Sequence, residues 1–227
     1  MKAAVVSNEK LTESVVALRF APESPFAFKP GQFCSIMAEH DGKKVMKSYS
    51  IASHPSDSAS FELCVKVVKD GFFSNYLASL KVGDEVELRA PLGHFVLQEN
   101  LDNELIFMAT GTGVSALKPM VEDAFLRGIK KDVWLFLGVM SEKDILYRKF
   151  FEGIESRHEN FHFIPVLSHD DNPDFEHGFI QDAFRKLIIP GVQDVYICGL
   201  YAMVDDVKKL CADLGYPKEK LHFEKYI

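Results

Sequence analysis

The strongest constraint on how this 227-residue chain folds is a change of pattern near residue 100. Before it, short segments alternate apolar and polar residues. VVALRF (15–20), QFCSIMAE (32–39), SYSIAS (48–53), FELCVKVV (61–68) and DEVELRA (84–90) predict strands. The turn signals KPG (29–31), HDGK (40–43) and VGD (82–84) between them predict a compact antiparallel Greek-key barrel. One helix is expected at FSNYLASL (73–80), with Ser74 as its N-cap. After residue 100, near-continuous apolar runs predict buried strands at 104–110, 133–139, 161–168, 194–199 and 221–227. Helical patterns at 115–128, 144–155, 179–187 and 203–215 separate them. Strands apolar on both faces, alternating with helices, predict a doubly wound parallel sheet. The boundary falls in QENLDN, giving domains 1–98 and 103–227.

Charge and cysteine spacing narrow the chemistry. Eleven Lys/Arg face twelve Asp/Glu in the first hundred residues, so nearly all of the net −7 lies in the second part. A nucleic-acid binder would show a basic surplus instead. Cys34, Cys64, Cys198 and Cys211 form no CxxC pair, which argues against a zinc or iron–sulfur centre and leaves the metal expectation at none. Scattered thiols, an N-terminus without an apolar leader, and no apolar run near 20 residues point to a cytoplasmic protein without a membrane span.

Two stretches carry chemistry. KSYSIAS (47–53) puts a cation, a ring and hydroxyls on one extended segment; by alternation Lys47, Tyr49 and Ile51 share one side, Ser48, Ser50 and Ala52 the other. Alone, such a strand reads as a solvated face and a core edge. DGFFSNYL (70–77) adds Gly71 and Ser74 at a helix start, where backbone N–H groups and a hydroxyl suit a pyrophosphate. GTGVSALKP (111–119) directly follows an apolar strand: Gly111 and Gly113 allow a tight turn close to an anion, and the helix dipole favours one. It is not the full GxGxxG fingerprint, since residue 116 is Ala. Two phosphate-binding devices in one small protein suggest two nucleotide-type ligands.

KSYSIAS, GFFSNYL, VGDEVELRAPLGHF, GTGVSALKP, YICGLYAMV and FEKYI occur in an order that resembles the ferredoxin–NADP reductase-like flavoproteins, and this order spans nearly the whole chain. The resemblance implies an FAD-binding barrel, an NAD(P)-binding α/β domain and no fused iron–sulfur domain. It implies that Tyr49 packs on the isoalloxazine, that Ser50 bonds near flavin N5, and that Lys47, Gly71 and Ser74 lie near the flavin phosphates. Ser48, Ile51, Val65, Lys66, Phe72 and Phe73 complete the implied flavin set. Thr110, Gly111, Thr112, Gly113, Val114, Ser115, Gly199, Tyr201 and Met203 form the implied dinucleotide set. Cys198 would line the nicotinamide pocket, Glu224 would approach the flavin–nicotinamide junction, and Tyr226 would cover the flavin face opposite Tyr49. Two departures stand out: Lys47 replaces the family's usual Arg, and Ile227 follows the terminal aromatic.

What the resemblance implies is hydride transfer from NAD(P)H to FAD, with the nicotinamide stacked on the flavin between the domains and Ser50, Cys198 and Glu224 orienting the pair. Electrons then pass to a separate acceptor: ferredoxin, flavodoxin, another redox protein or a small molecule. Acidic partners would be repelled by a chain at −7 unless Lys43, Lys44 and Lys47 form a local patch. Glu142 and Asp144 follow the second strand of the α/β part where a 2′-phosphate would be repelled, which favours NADH; Lys143, Tyr147 and Arg148 keep NADPH open. A free-flavin reductase and a non-autonomous subunit of a larger complex remain as alternatives.

Overall fold

The computed structural model describes residues 1–226; Ile227, at the end of the last expected strand, lies outside the described residues. The chain divides into two units, residues 1–97 with 118–123, and residues 98–117 with 124–227.

The first unit is a six-stranded antiparallel sheet: β1 (Lys2–Lys10), β2 (Val15–Pro22), β3 (Phe33–His40), β4 (Lys43–Ser50), β5 (Phe61–Lys66) and β6 (Glu85–Leu92), in the order β4-β3-β6-β1-β2-β5. Beyond β4 the chain crosses to β5. Ile51 bridges Leu63, and the Ala52 N–H bonds to Glu62 O at 2.7 Å, which closes the sheet into a barrel. Leu18, Phe20, Ile36, Ile51, Phe61, Leu63 and Leu88 fill it, with Phe20 stacked on Phe61 at 5.5 Å. The helix α1 (Phe72–Ser79) packs on this core through Phe73 and Leu77.

Two expectations are corrected here, and one strand was not foreseen. SYSIAS is not one strand: β4 ends at Ser50, and it begins at Lys43, where mostly exposed residues hide the alternation. The strand β1 escapes the pattern because its register shifts between Val5 and Ser7 and its second half is polar. The residue capping α1 is Gly71, not Ser74, which sits one turn inside.

The second unit carries a six-stranded parallel sheet: β7 (Leu105–Thr110), β8 (Val133–Val139), β9 (Phe161–Leu167), β10 (Glu176–His177), β11 (Asp194–Leu200) and β12 (Leu221–Tyr226), in the order β10-β9-β8-β7-β11-β12. The helices are α2 (Val114–Leu126), α3 (Arg148–Glu155), α4 (Ile180–Leu187) and α5 (Tyr201–Asp213). The order reverses between β7 and β11, so their C-terminal ends form a switch point, where ligands of open α/β sheets bind. The expected helix at 144–155 is broken. Ser141 and Asp144 cap a short 3-10 turn at Glu142–Asp144, and Tyr147 adopts a left-handed backbone (φ 56°), so α3 starts only at Arg148. The two-residue strand β10 is too short to leave a periodic signal. Among the described residues, no helix is long and apolar enough to cross a membrane.

Candidate functional site

In the first unit the predicted residues converge where β4 ends. Tyr49 lies opposite Cys34, half-buried, and its ring stacks with Phe73 of α1 at 6.2 Å. Burial, reinforced by the neighbouring Cys34, pushes its phenol up to about 12, so it stays neutral. Phe72 stacks on His40 at 3.9 Å and on Tyr76 at 6.2 Å, extending an aromatic row over the start of α1. Lys47, opposite Ile36, is exposed and forms no ion pair among the described residues. Ser48 is hydrogen-bonded to Ser35 at 2.8 Å, and Ser50 is buried opposite Phe33. The side chains of Ile51 and Val65 belong to the barrel core, while Lys66 is exposed at the end of β5.

Around α1 the hydrogen bonds are specific. Ser74 Oγ accepts the Val68 N–H at 3.0 Å and donates to Gly71 O at 3.3 Å. Asn75 Nδ2 donates to Val68 O and Gly71 O at 2.8 and 2.7 Å. The Ser74 hydroxyl therefore closes the 68–71 loop. The helix ladder starts at the Asn75 N–H to Gly71 O bond of 3.2 Å, which leaves the earlier first-turn N–H groups outside it. Asn75 was missed by the sequence reading, because an amide inside GFFSNYL looks like any solvated helix residue.

In the second unit the predicted residues gather at the switch point. A Cβ built on Gly113 would stand 2.2 Å from Cys198 O, so the loop after β7 lies directly on the end of β11. One built on Gly199 would stand 2.4 Å from Thr110 Oγ1. That Thr110 hydroxyl is buried with no hydrogen-bond partner among the described residues, an uncommon state for a buried polar atom. Gly111 (φ 50°) has open space where a side chain would be. Ser115 Oγ donates to Thr112 O at 2.7 Å and lies 3.3 Å from the Tyr226 hydroxyl. Val114 and Met203 are buried, whereas Tyr201 is half-exposed with the Lys225 ammonium 5.1 Å from its ring centre.

Cys198 is fully buried, in register with Ala109 on one side and Glu224 on the other. Burial pushes its thiol far up and the Glu224 charge adds to this, while a hydrogen bond with Tyr226 acts in the opposite sense. Burial also holds Cys34 and Cys211 up at about 12. Since the thiolate is the reactive form, none of the four buried cysteines is expected to react with a disulfide reagent at pH 8 in the native protein, and all four after unfolding in guanidinium. A thiol count in each state checks this, and one rapidly reacting native thiol contradicts it.

Glu142 stands apart, beyond β8. Its carboxylate accepts from Arg148 at 2.5 Å and from Asn172 at 2.9 Å, and its N–H donates to Asp170 at 3.1 Å. The Arg148 hydrogen bond is the main reason its carboxyl is held below the usual range. Arg148 also grips Glu152 at 2.6 Å, so its guanidinium is engaged by two carboxylates. Asp144 is occupied with the Ser141 hydroxyl at 2.6 Å.

Comparison with known proteins agrees with this arrangement. The oxidoreductase FAD-binding domain family matches residues 2–97, and the oxidoreductase NAD-binding domain family matches residues 107–209. Ferredoxin–NADP reductase B of Sorangium cellulosum is 31% identical over 237 residues, covering 99% of this chain and 97% of its own. The reductase component DmpP of phenol 2-monooxygenase from Pseudomonas sp. is 31% identical over 201 residues, covering 86% of this chain and 56% of its own. The chain thus spans little more than half of that relative. Among solved structures, the Amycolatopsis cytochrome P450 reductase GcoB superposes with a TM-score of 0.92 at 27% identity, over 99% of this chain and 69% of its own.

Proposed function

Because the chain belongs to the ferredoxin–NADP reductase-like family of FAD- and NAD(P)-binding oxidoreductases, we propose that it moves hydride from NAD(P)H to bound FAD and electrons onward to a separate acceptor. Residues 1–98 form the FAD-binding domain in this reading and 103–227 the NAD(P)-binding domain. The observation that carries it is the switch-point cradle. Gly113 and Gly199 leave no room for a Cβ, and the Thr110 hydroxyl is buried without a partner. A buried hydroxyl beside a glycine turn suits an anionic ligand that supplies the missing acceptor or donor. On the flavin side, the Tyr49 ring, the Lys47 ammonium and the first-turn N–H groups of α1 offer a flat apolar face and two attractions for phosphate.

When bound, FAD supplies a two-electron acceptor able to release electrons singly. The chain's own part is to bind, orient and exclude water. Lys47, Gly71 and the start of α1 would hold the flavin phosphates, Tyr49 would support the ring and Ser50 would orient it; in the second unit Cys198 and Glu224 would orient the nicotinamide. With its thiol protonated and buried, Cys198 acts by shape rather than as a nucleophile. Acceptors that are separate redox or oxygenase proteins are favoured by the names of the relatives. The exposed Lys43, Lys44 and Lys47 on β4 suit an acidic one. The four free, buried thiols fit a cytoplasmic setting.

NADH is the proposed coenzyme. Glu142 is ionised, and Arg148, the cation beside it, is already held by two carboxylates. Replacing the carboxylate in Glu142→Ala removes one of the two carboxylates that hold Arg148, leaving Glu152, and removes a repulsive charge. The kcat/KM for NADPH is expected to rise on the order of tenfold or more while that for NADH changes less. Unchanged ratios would remove Glu142 from the site. Anaerobic titration of the purified protein with each coenzyme tests the whole proposal: a yellow protein bleached by NADH at low concentration supports it. A colourless protein that oxidises NADH only with added flavin makes flavin a substrate, and a protein that does neither overturns the enzyme reading.

A further inference from the structure

The last residue but one of the GTGVSALKP stretch is a cation that neither phosphate site uses. Lys118, in the part of α2 that groups with the first unit, has a side chain only 10% exposed. Its Nζ donates to Ala52 O at 2.9 Å and lies 4.0 Å from Glu62 Oε1. Glu62 in turn bonds to Arg19 at 3.2 Å, its N–H reaches Ser53 Oγ at 3.0 Å, and its carbonyl holds the Ala52 N–H. Ala52 is therefore fixed at both its N–H and its C=O. Five residues further along the helix, Asp123 lies 3.3 Å from Nε2 of His54, whose Nδ1 is 2.9 Å from Ser56. Two charged side chains of one helix segment thus secure the stretch that immediately follows Tyr49 and Ser50.

Burying an ammonium is costly, and a packed apolar residue of the same volume would often be more stable. Burial indeed lowers the basicity of Lys118, against the pull of Glu62 and Glu122. What the lysine supplies, and an apolar side chain cannot, is a directed bond to one carbonyl. We infer that Lys118 is a positioning residue for the flavin reaction: by holding Ala52 it fixes where Ser50 and Tyr49 meet the flavin. The inference rests on the flavin-reductase reading for its functional half only.

The test uses Lys118→Met, which keeps length and removes charge and donor, with Lys118→Arg as the conservative rescue. Amide hydrogen exchange of Ile51 and Ala52 in flavin-free protein reports the clamp without any cofactor. It is expected to quicken about tenfold or more in the Met variant and to recover in the Arg variant. In flavin-loaded protein, the visible band shifts and the single-turnover rate of flavin reduction falls by about tenfold to a hundredfold, with KM for NADH little changed; displacements near 1 Å have effects of that size. Unchanged exchange overturns the clamp. Faster exchange with an unaltered band and rate overturns the positioning role and leaves Lys118 structural. If the Met variant does not fold, Asp123→Asn applies the same measurements to the other end of the clamp with the same expected directions. A wild type that NADH never reduces overturns the reductase reading instead, and the exchange data alone then decide whether Lys118 holds the segment.

Discussion

Gly113→Ala is expected to weaken the use of NADH strongly while leaving the protein yellow. The added Cβ would lie 2.2 Å from Cys198 O, 2.7 Å from its carbonyl carbon and 2.9 Å from Gly199 Cα. All three are backbone atoms of β11, a strand bonded to β7 on one side and β12 on the other. No flexible side chain is there to yield, so the loop must lift off the sheet edge and carry Thr110, Thr112 and Ser115 with it. Overpacking of this kind costs roughly 1–3 kcal/mol, which lowers the melting temperature by several degrees in a chain of this size. The larger effect is on binding: if the turn holds the pyrophosphate as proposed, KM for NADH is expected to rise at least about tenfold, since its N–H groups move out of register. Thermal melting and an NADH titration of the bound flavin check both. An alanine variant with wild-type KM would show that the turn does not touch the dinucleotide.

Gly31→Ala is the matching probe of the first unit, with the opposite pattern of losses. Gly31 has φ 97°, and a Cβ there would stand 2.2 Å from Phe95 O and 2.1 Å from Met120 Cε. The methionine end can move; the carbonyl cannot. Left-handed strain of about 1–3 kcal/mol adds to the overlap, so a total near 3 kcal/mol or more is expected, with loss of flavin on gel filtration. Gly42, in the turn between β3 and β4, is the control. Its φ is 70°, but a Cβ meets nothing within 4 Å, so Gly42→Ala carries only a strain penalty of about 1 kcal/mol. Flavin retained by Gly31→Ala at wild-type stability would contradict the packing argument.

Both architectures were legible in the sequence because each writes its burial into local pattern. The strands 133–139 and 161–167 are apolar on both faces, as only a covered parallel sheet requires. The misses share a cause: information carried by distant partners. Only Val45, Tyr49 and Ser50 of β4 face inward at all, so its first half reads as polar loop. Nothing local announces the left-handed Tyr147 that delays α3. At the candidate sites, Gly111 was readable because a tight turn with a left-handed backbone (φ 50°) favours glycine, whereas the need for Gly113 comes from the Cys198 carbonyl opposite it. The burial of Lys118 was not, since the carbonyl that receives it is 66 residues away in the chain. The reading of Ser74 as a cap failed for a related reason. A serine near a helix start serves the cap or the preceding loop, and here the Val68 N–H claims it.

Residues 118–123 count with the barrel although they follow its last strand by some way in the sequence. A ribosome releases the chain from its N-terminus, so the six barrel strands emerge before the piece that completes their packing. Until α2 appears, Gly31 lacks Met120, Ala52 lacks Lys118 and His54 lacks Asp123. The nascent barrel must therefore persist in an unfinished form while the start of the next unit is being made. A gene fragment cut at residue 98 would freeze it in that form for good.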